Sequence, residues 1–112
     1  MKRILTCLLL AVVASPAFAH ARLTSSDPKA DSKVKSPNLI RLMFSEGLEP
    51  AFSGATLSDG AGKNIPVSAA VGTTTITLMP LALRPGAYTV SWHSVGHDTH
   101  RVTGSFHFTV VP

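Results

Sequence analysis

Apolar and polar residues alternate along four segments of the chain, and this pattern predicts β-strands at 38–45, 73–79, 87–94 and 103–111. A repeat of two is typical of strands that bury one face and expose the other. Weaker strands are predicted near 21–25, 55–57 and 65–67. The side chains expected on the buried faces are Ile40, Leu42, Phe44, Ile76, Leu78, Tyr88, Val90, Trp92, Phe106, Phe108 and Val110.

Turn-forming residues separate these segments. Asp27-Pro28, Ser36-Pro37, Asp59-Gly60 and Arg84-Pro85-Gly86 all have residue types that favour tight turns. No window combines helical periodicity with helix caps. The sequence therefore predicts an all-β fold, a small Greek-key β-sandwich of about seven strands. It is immunoglobulin-like in architecture only, because the immunoglobulin cysteine pair is absent.

The first 19 residues are predicted to form a cleaved signal peptide. Lys2 and Arg3 precede a short apolar run, Pro16 follows it, and Ala17-Phe18-Ala19 is an A-x-A cleavage site. Removing 19 of the 112 residues leaves 93 in one domain, 20–112. Cleavage after Ala21 is the rival site and would discard His20. We expect the mature protein to be exported to the periplasm without the only cysteine of the sequence, and so without a disulfide.

Charge and hydropathy narrow the possible partners. The predicted mature chain keeps eight basic and six acidic side chains, scattered along the sequence. Basic residues interleaved with aromatic ones, as a nucleic-acid groove requires, are absent, so no nucleic-acid partner is expected. No segment after the signal approaches the roughly 20 apolar residues of a membrane span. We therefore expect a protein that does not itself span the membrane.

The histidines suggest a metal site. Cleavage after Ala19 makes His20 the first residue, so its α-amine and its ring could chelate one ion. Asp98 and His100 lie two apart, and in extended backbone they would point the same way. Amine, imidazole and carboxylate donors in a tetragonal plane suit Cu(II). His97 would point away as a surface residue. We expect His93 to be a packing or surface residue and His107 to be exposed.

Three blocks of the chain resemble one known family, the CopC-like periplasmic copper-binding proteins. The blocks are HARLTSSDPKADSKV, PNLIRLMFSEGLEPAFSGATL and LALRPGAYTVSWHSVGHDTHRVTGSFHFTV. The resemblance implies a β-sandwich that binds Cu(II) through His20, Asp98 and His100. It also implies that Glu46 lies beside the site and orients a ligand or a water. Some family members hold Cu(I) in a methionine-rich loop. The equivalent segment, 52–70, has no methionine, so one Cu(II) site and no Cu(I) site are expected.

The resemblance implies a non-enzymatic protein that sequesters copper or delivers it in copper homeostasis and resistance. An inner-membrane copper transport protein is the partner that the family suggests. Two other functions stay open at this point. One is a copper monooxygenase-like oxidase that uses the N-terminal histidine chelate, and the other is a metal-free interaction domain.

Overall fold

The computed structural model describes residues 20–112, so the predicted signal peptide lies outside the described residues. Within this range the chain forms strands and one short 3₁₀ helix, Pro50–Phe52. The strands are β1 Leu23–Asp27, β2 Lys33–Val34, β3 Ile40–Phe44, β4 Gly54–Asp59, β5 Asn64–Ile65, β6 Val67–Val71, β7 Thr75–Pro80, β8 Gly86–Val95 and β9 Arg101–Val110. No helix in this part of the chain is long and apolar enough to cross a membrane.

The strands form two sheets that pack face to face. The four-stranded sheet has the order β1-β3-β7-β6, and the five-stranded sheet has the order β2-β9-β8-β4-β5. All neighbours are antiparallel except β2 and β9, which are parallel. The prediction of an all-β sandwich is confirmed.

The core lies between the two sheets and contains every side chain predicted to be buried. Ile40, Leu42, Ile76, Leu78 and Val90 are fully enclosed. The remaining predicted members are exposed by less than a tenth of their surface: Phe44, Tyr88, Trp92, Phe106, Phe108 and Val110. The core also takes in Ala21, Leu48 and Leu57, which the alternation did not single out.

The region around Pro66 differs from the prediction. A single strand was expected near 65–67, but β5 ends at Ile65 and β6 begins at Val67. The two strands belong to different sheets, because β5 pairs with β4 and β6 pairs with β7. Proline has no N–H to donate to a ladder, so it suits the point where the chain leaves one sheet for the other. This crossing, together with the short β2, raises the strand number above seven.

The hairpin of β8 and β9 carries the turn at which the candidate site forms. Its ten-residue strands pair without interruption from Gly86↔Val110 to Val95↔Arg101. Trp92 lies opposite Gly104, and a β-carbon at Gly104 would be 2.4 Å from an atom of the indole ring. The ring therefore occupies the space that any other residue at position 104 would need. This close packing holds the two strands in register just before the turn at 96–100.

Candidate metal centre

His20, Asp98 and His100 meet at one end of the sandwich. The ring Nδ1 of His20 donates to Asp98 Oδ2 at 2.9 Å, and His100 Nδ1 is 3.4 Å from the same oxygen. The two imidazole rings are edge to face, with centroids 4.9 Å apart. One ligand atom from each residue lies within 4.8 Å of the other two. The N-terminal end of the described chain thus reaches a hairpin turn 78 residues later.

A tight turn brings Asp98 and His100 together. The N–H of Thr99 donates to the carbonyl of Gly96 at 3.0 Å, and the N–H of His100 donates to Asp98 Oδ1 at 3.2 Å. Thr99 has a φ of 66°, in the left-handed region. The prediction that Asp98 and His100 share a face in extended backbone is therefore wrong in its reason, although the two side chains do lie together. A left-handed residue between them reverses the chain and turns both toward His20.

Three hydrogen bonds, one buried and two exposed, fix the segment that carries His20. Ala21 is fully buried, and its carbonyl accepts a hydrogen bond from the buried hydroxyl of Ser94 at 2.5 Å. The Ser45 hydroxyl donates to the His20 carbonyl at 3.1 Å and accepts from the Arg22 N–H at 3.1 Å. These contacts place the ring of His20 over Asp98 before any ion is bound.

The sequence analysis did not identify Ser45 or Ser94. A signal for Ser94 was present, because it continues the inward phase of Tyr88, Val90 and Trp92 in β8. A hydroxyl in a buried position needs a hydrogen-bond partner. Nothing in the sequence, however, indicates that its partner is the carbonyl of Ala21, 73 residues earlier.

Asp98 is ionised at neutral pH. Its partial burial opposes the charge, but the hydrogen bonds from the His100 N–H and the His20 ring favour it, as do the two nearby imidazoles. The net effect lowers the pKa of Asp98 below its ordinary value. The exposed fractions of the side chains are 21% for Asp98, 27% for His20 and 60% for His100. The cluster is therefore open to solvent on the His100 side.

His97 lies apart from the cluster, as predicted. Its Nδ1 is 2.7 Å from Glu49 Oε1, and 73% of its side chain is exposed. Leu48 and Gly96 form an isolated antiparallel bridge, and the Glu49 N–H donates to the Val95 carbonyl at 2.8 Å. These contacts join the loop that follows β3 to the beginning of the turn at 96–100. We call this turn the metal turn, because it carries Asp98 and His100.

Two further histidines and Glu46 complete the set of predicted residues. His107 is exposed, as expected, and pairs with the Thr89 hydroxyl at 2.9 Å. His93 is half-buried on the outward face of β8. Glu46 is exposed and does not belong to the three-residue cluster, so its role in orienting a ligand or a water stays a prediction. The neighbouring Ser45 is the residue that contacts His20.

The donor set fits a first-row transition metal. Ligand atoms that share one ion at about 2 Å lie at most about 4 Å apart, so the observed cluster needs little contraction to close. Two imidazoles and one carboxylate supply nitrogen and oxygen donors of the kind that Cu(II) accepts. The ring nitrogens of both histidines already approach the same oxygen, Asp98 Oδ2, at 2.9 Å for His20 and 3.4 Å for His100.

Comparison with known proteins gives consistent matches over the described chain. A family model described as the CopC domain matches residues 23–111. Copper resistance protein C of Escherichia coli is 42% identical over 97% of this chain and 95% of its own. The crystal structure of PcoC, a methionine-rich copper resistance protein from Escherichia coli, superimposes with a TM-score of 0.78 at 39% identity, and it covers 83% of this chain and 100% of its own. The structure of CopC from Methylosinus trichosporium OB3b also has a TM-score of 0.78, at 34% identity, over 83% of this chain and 95% of its own.

The turn geometry yields a prediction at Thr99. Thr99→Pro forces φ to about −65° and removes the N–H that bonds to Gly96, so Asp98 and His100 should separate. We expect Cu(II) affinity to fall by tenfold or more. Thr99→Gly is the matched control, because glycine adopts the left-handed region without a steric penalty. It should keep both the affinity and, within about 1 kcal/mol, the free energy of unfolding.

Both variants would be titrated with Cu(II) against the same competing chelator, with urea unfolding as the check on folding. Equal copper affinity in the proline and glycine variants would show that the turn does not organise the ligands.

Proposed function

The chain belongs to the CopC family, and from that premise we propose that the exported protein binds one Cu(II) ion through His20, Asp98 and His100. It does so to sequester copper or to deliver it in copper homeostasis and resistance. The observation that carries this proposal is that the ring nitrogens of His20 and His100 both approach one carboxylate oxygen of Asp98. Copper is the cargo of the protein, and its binding and release are the function.

The fourth donor is the α-amine of His20. Cleavage after Ala19 would release this amine on the residue whose ring already faces Asp98. An amine and an imidazole from one residue, a second imidazole and a carboxylate make a set of three nitrogens and one oxygen. Tetragonal nitrogen and oxygen ligation suits Cu(II), which also stands highest in the affinity order of the divalent first-row metals.

A methionine site for Cu(I) is not part of the proposal. Beyond Met1, the sequence has only Met43 on β3 and Met79 on β7. Met43 pairs with Thr75, so four residues of β7 separate the two methionines along the sheet, a distance of roughly 13 Å. They cannot share one ion. The chain differs here from PcoC of Escherichia coli, which is described as a methionine-rich copper resistance protein.

Export and partner follow from the same proposal. The proposed signal peptide, 1–19, would direct the chain to the periplasm and would create the amine donor there. The solved chain of PcoC is matched over its whole length by 83% of this chain. A chain of 93 residues, as cleavage after Ala19 would leave, is the same share of 112 residues. An inner-membrane copper transport protein is the proposed recipient or donor of the ion.

The site is proposed to hold copper rather than to turn over a substrate. With the Asp98 carboxylate bound beside three nitrogens, the four donors would fill a tetragonal plane and would leave no place in it for oxygen. The oxidase alternative predicts peroxide-driven oxidation of chitin or cellulose by the copper-loaded protein. Detection of oxidised oligosaccharides would contradict the holding role.

His100 and His107, two histidines of the β8–β9 hairpin, test the ligand assignment. His100→Ala removes a donor that points at Asp98 and should abolish tight Cu(II) binding. His107→Ala is the control, because His107 is exposed on the outward face of β9 and contacts Thr89. Competitive Cu(II) titration of both variants checks this. An equal loss of affinity in the two variants would contradict the assignment.

The role of the amine is tested by one extra residue. A chain that begins Met-His20 keeps the imidazole but moves the amine to the wrong residue. Losing a donor to the ion should weaken Cu(II) binding at least 10–100-fold, the cost typical of losing only a supporting group. The experiment compares the Cu(II) affinity of the chain that begins Met-His20 with that of the chain that begins at His20. Intact mass first confirms the first residue of each chain.

The processed chain should bind one Cu(II), and electron paramagnetic resonance should show nitrogen and oxygen ligation in a tetragonal field. Equal affinities of the two chains would remove the amine from the site. Sulfur ligation, or a second equivalent bound as tightly, would contradict the single nitrogen and oxygen centre.

Acid should release the copper through its nitrogen donors. Imidazole and amine nitrogens must lose a proton to coordinate, so protons compete with the ion as pH falls below about 7. The pKa of Asp98 is lowered, so its contribution to stability is present above the ordinary carboxylate pKa and is lost only at more acidic pH. Cu(II) affinity should therefore decline before unfolding begins, which titrations and circular dichroism from about pH 8 to pH 4 would check. An affinity that stays constant down to the ordinary carboxylate pKa would contradict nitrogen ligation.

A further inference from the structure

A cleft opens on the other side of the metal turn. It has a volume of about 580 Å³ and lies on the outward face of the five-stranded sheet, next to the 3₁₀ helix. Thr99, the residue between Asp98 and His100, lines one end of it. The other lining residues are Glu49, Ala51, Phe52, His93, Val95 and Arg101. The cleft therefore begins one residue away from each of the two proposed hairpin ligands.

Arg101 gives the cleft its positive charge. It pairs with Val95 across the β8–β9 ladder, and His93 projects from the same face two residues earlier in β8. Among residues 20–112, every ion pair with a carboxylate involves a histidine, and none involves Arg101. Burial and the charge of Arg101 lower the pKa of His93. Arg101 therefore supplies a cation that no carboxylate of residues 20–112 pairs with, and His93 adds an imidazole beside it.

The single acidic residue of the cleft is already engaged. Glu49 Oε1 is 2.7 Å from His97 Nδ1, on the side of the loop that joins the metal turn. Its carboxylate is directed to that ring and forms no ion pair with Arg101, which lines the same cleft. An incoming carboxylate would find Arg101 and His93 without displacing an existing ion pair.

An exposed aromatic side chain forms the apolar part of the cleft. Phe52 is 66% exposed at the end of the 3₁₀ helix, which buries none of its residues. The Ser53 hydroxyl, which accepts from the Val95 N–H at 3.0 Å, and the Glu49 N–H both tie this helix to β8. The fold therefore keeps Phe52 exposed in the cleft that Arg101 also lines.

The same face continues beyond Arg101 as a shallower hollow of about 440 Å³. Hydroxyl side chains line it: Thr56, Ser91, Thr103 and Ser105. His93 and Arg101 belong to both hollows, so the two form one continuous groove. Hydroxyls can both donate and accept, which suits the backbone of an extended peptide.

We propose that this groove docks an acidic, apolar-flanked segment of the protein that exchanges copper with this chain. A carboxylate of the segment binds Arg101 and His93, and a neighbouring aromatic or aliphatic side chain packs on Phe52. The inference rests on the proposed copper function, because it names the kind of partner that this site meets. Charge complementarity selects the acidic segment, and the position of Thr99 in the cleft brings that segment beside the metal turn.

The probe is a synthetic peptide, acetyl-Gly-Phe-Asp-Leu-Glu-Gly-amide, which has no copper-binding side chain other than carboxylates. Its counterpart has Asn and Gln in place of the two acids. Each would be titrated into the ¹⁵N-labelled processed chain, with and without Cu(II). We expect the acidic peptide to shift the amides of residues 51–53, 93–95 and 99–103, and to bind at least fivefold more tightly than the neutral one.

Two arginine variants separate this groove from general surface charge. Arg101→Gln should weaken the acidic peptide about tenfold, the effect of losing a charge-assisted hydrogen-bonded pair. Arg41→Gln is the matched control, because Arg41 is exposed on β3 of the opposite sheet and its loss should change nothing. The Cu(II) affinity of both variants should equal that of the unchanged chain, so a failure of docking is distinguishable from a failure of copper binding.

Several results would overturn the proposal. It fails if the acidic peptide does not bind at millimolar concentration, if the shifted amides lie elsewhere, or if Arg41→Gln weakens binding as much as Arg101→Gln. A third arm uses N-acetyl-phenylalaninate. If this small carboxylate binds as tightly as the peptide, the groove is a small-anion site and the protein-partner proposal is wrong.

Discussion

The hydrogen bond from the buried hydroxyl of Ser94 to the carbonyl of Ala21 is the contact on which the candidate metal centre depends. Ser94 is fully enclosed, so a hydroxyl without this partner would cost about 1–3 kcal/mol. Ala21 is equally buried, and its β-carbon packs 3.6 Å from the position that a β-carbon on Gly96 would take. The first residue after His20 is thus a core residue, which holds the beginning of the described chain in place. The ring of His20 is therefore delivered to Asp98 by the packing of its neighbour.

This anchor explains how three candidate ligands can come together from the beginning of the described chain and from a hairpin 78 residues away. Asp98 and His100 are rigid because β8 and β9 pair along ten residues and the turn between them is internally hydrogen-bonded. His20 gains the same rigidity from Ala21 and from Ser45, whose hydroxyl bonds to the carbonyl of His20. Because these side chains are ordered before an ion arrives, less conformational entropy is lost on binding, and the free-energy cost of binding is smaller.

The sequence predicted the buried faces well, because a period of two in apolar side chains reports directly on which side of a strand faces the core. It predicted the strands on either side of Pro66 poorly, because a local pattern does not show which sheet a short strand joins. Asp98 and His100 were paired correctly for an incorrect reason: their proximity comes from the left-handed Thr99 and not from strand alternation. Ser45 and Ser94 could not be assigned because their partners, His20 and Ala21, are close only after the sandwich has formed.

The metal turn has two sides with different chemistry, and one residue separates them. Asp98 and His100 face His20 and form the candidate metal centre with it, whereas Thr99 faces the groove that contains Arg101 and Phe52. A threonine in the left-handed region costs roughly 1–2 kcal/mol, and the surrounding hydrogen bonds of Gly96 and Asp98 sustain it. The consequence is that a segment lying in the groove contacts the turn without competing for Asp98. A partner can therefore be recognised by one side of the turn while the ion is still held by the other.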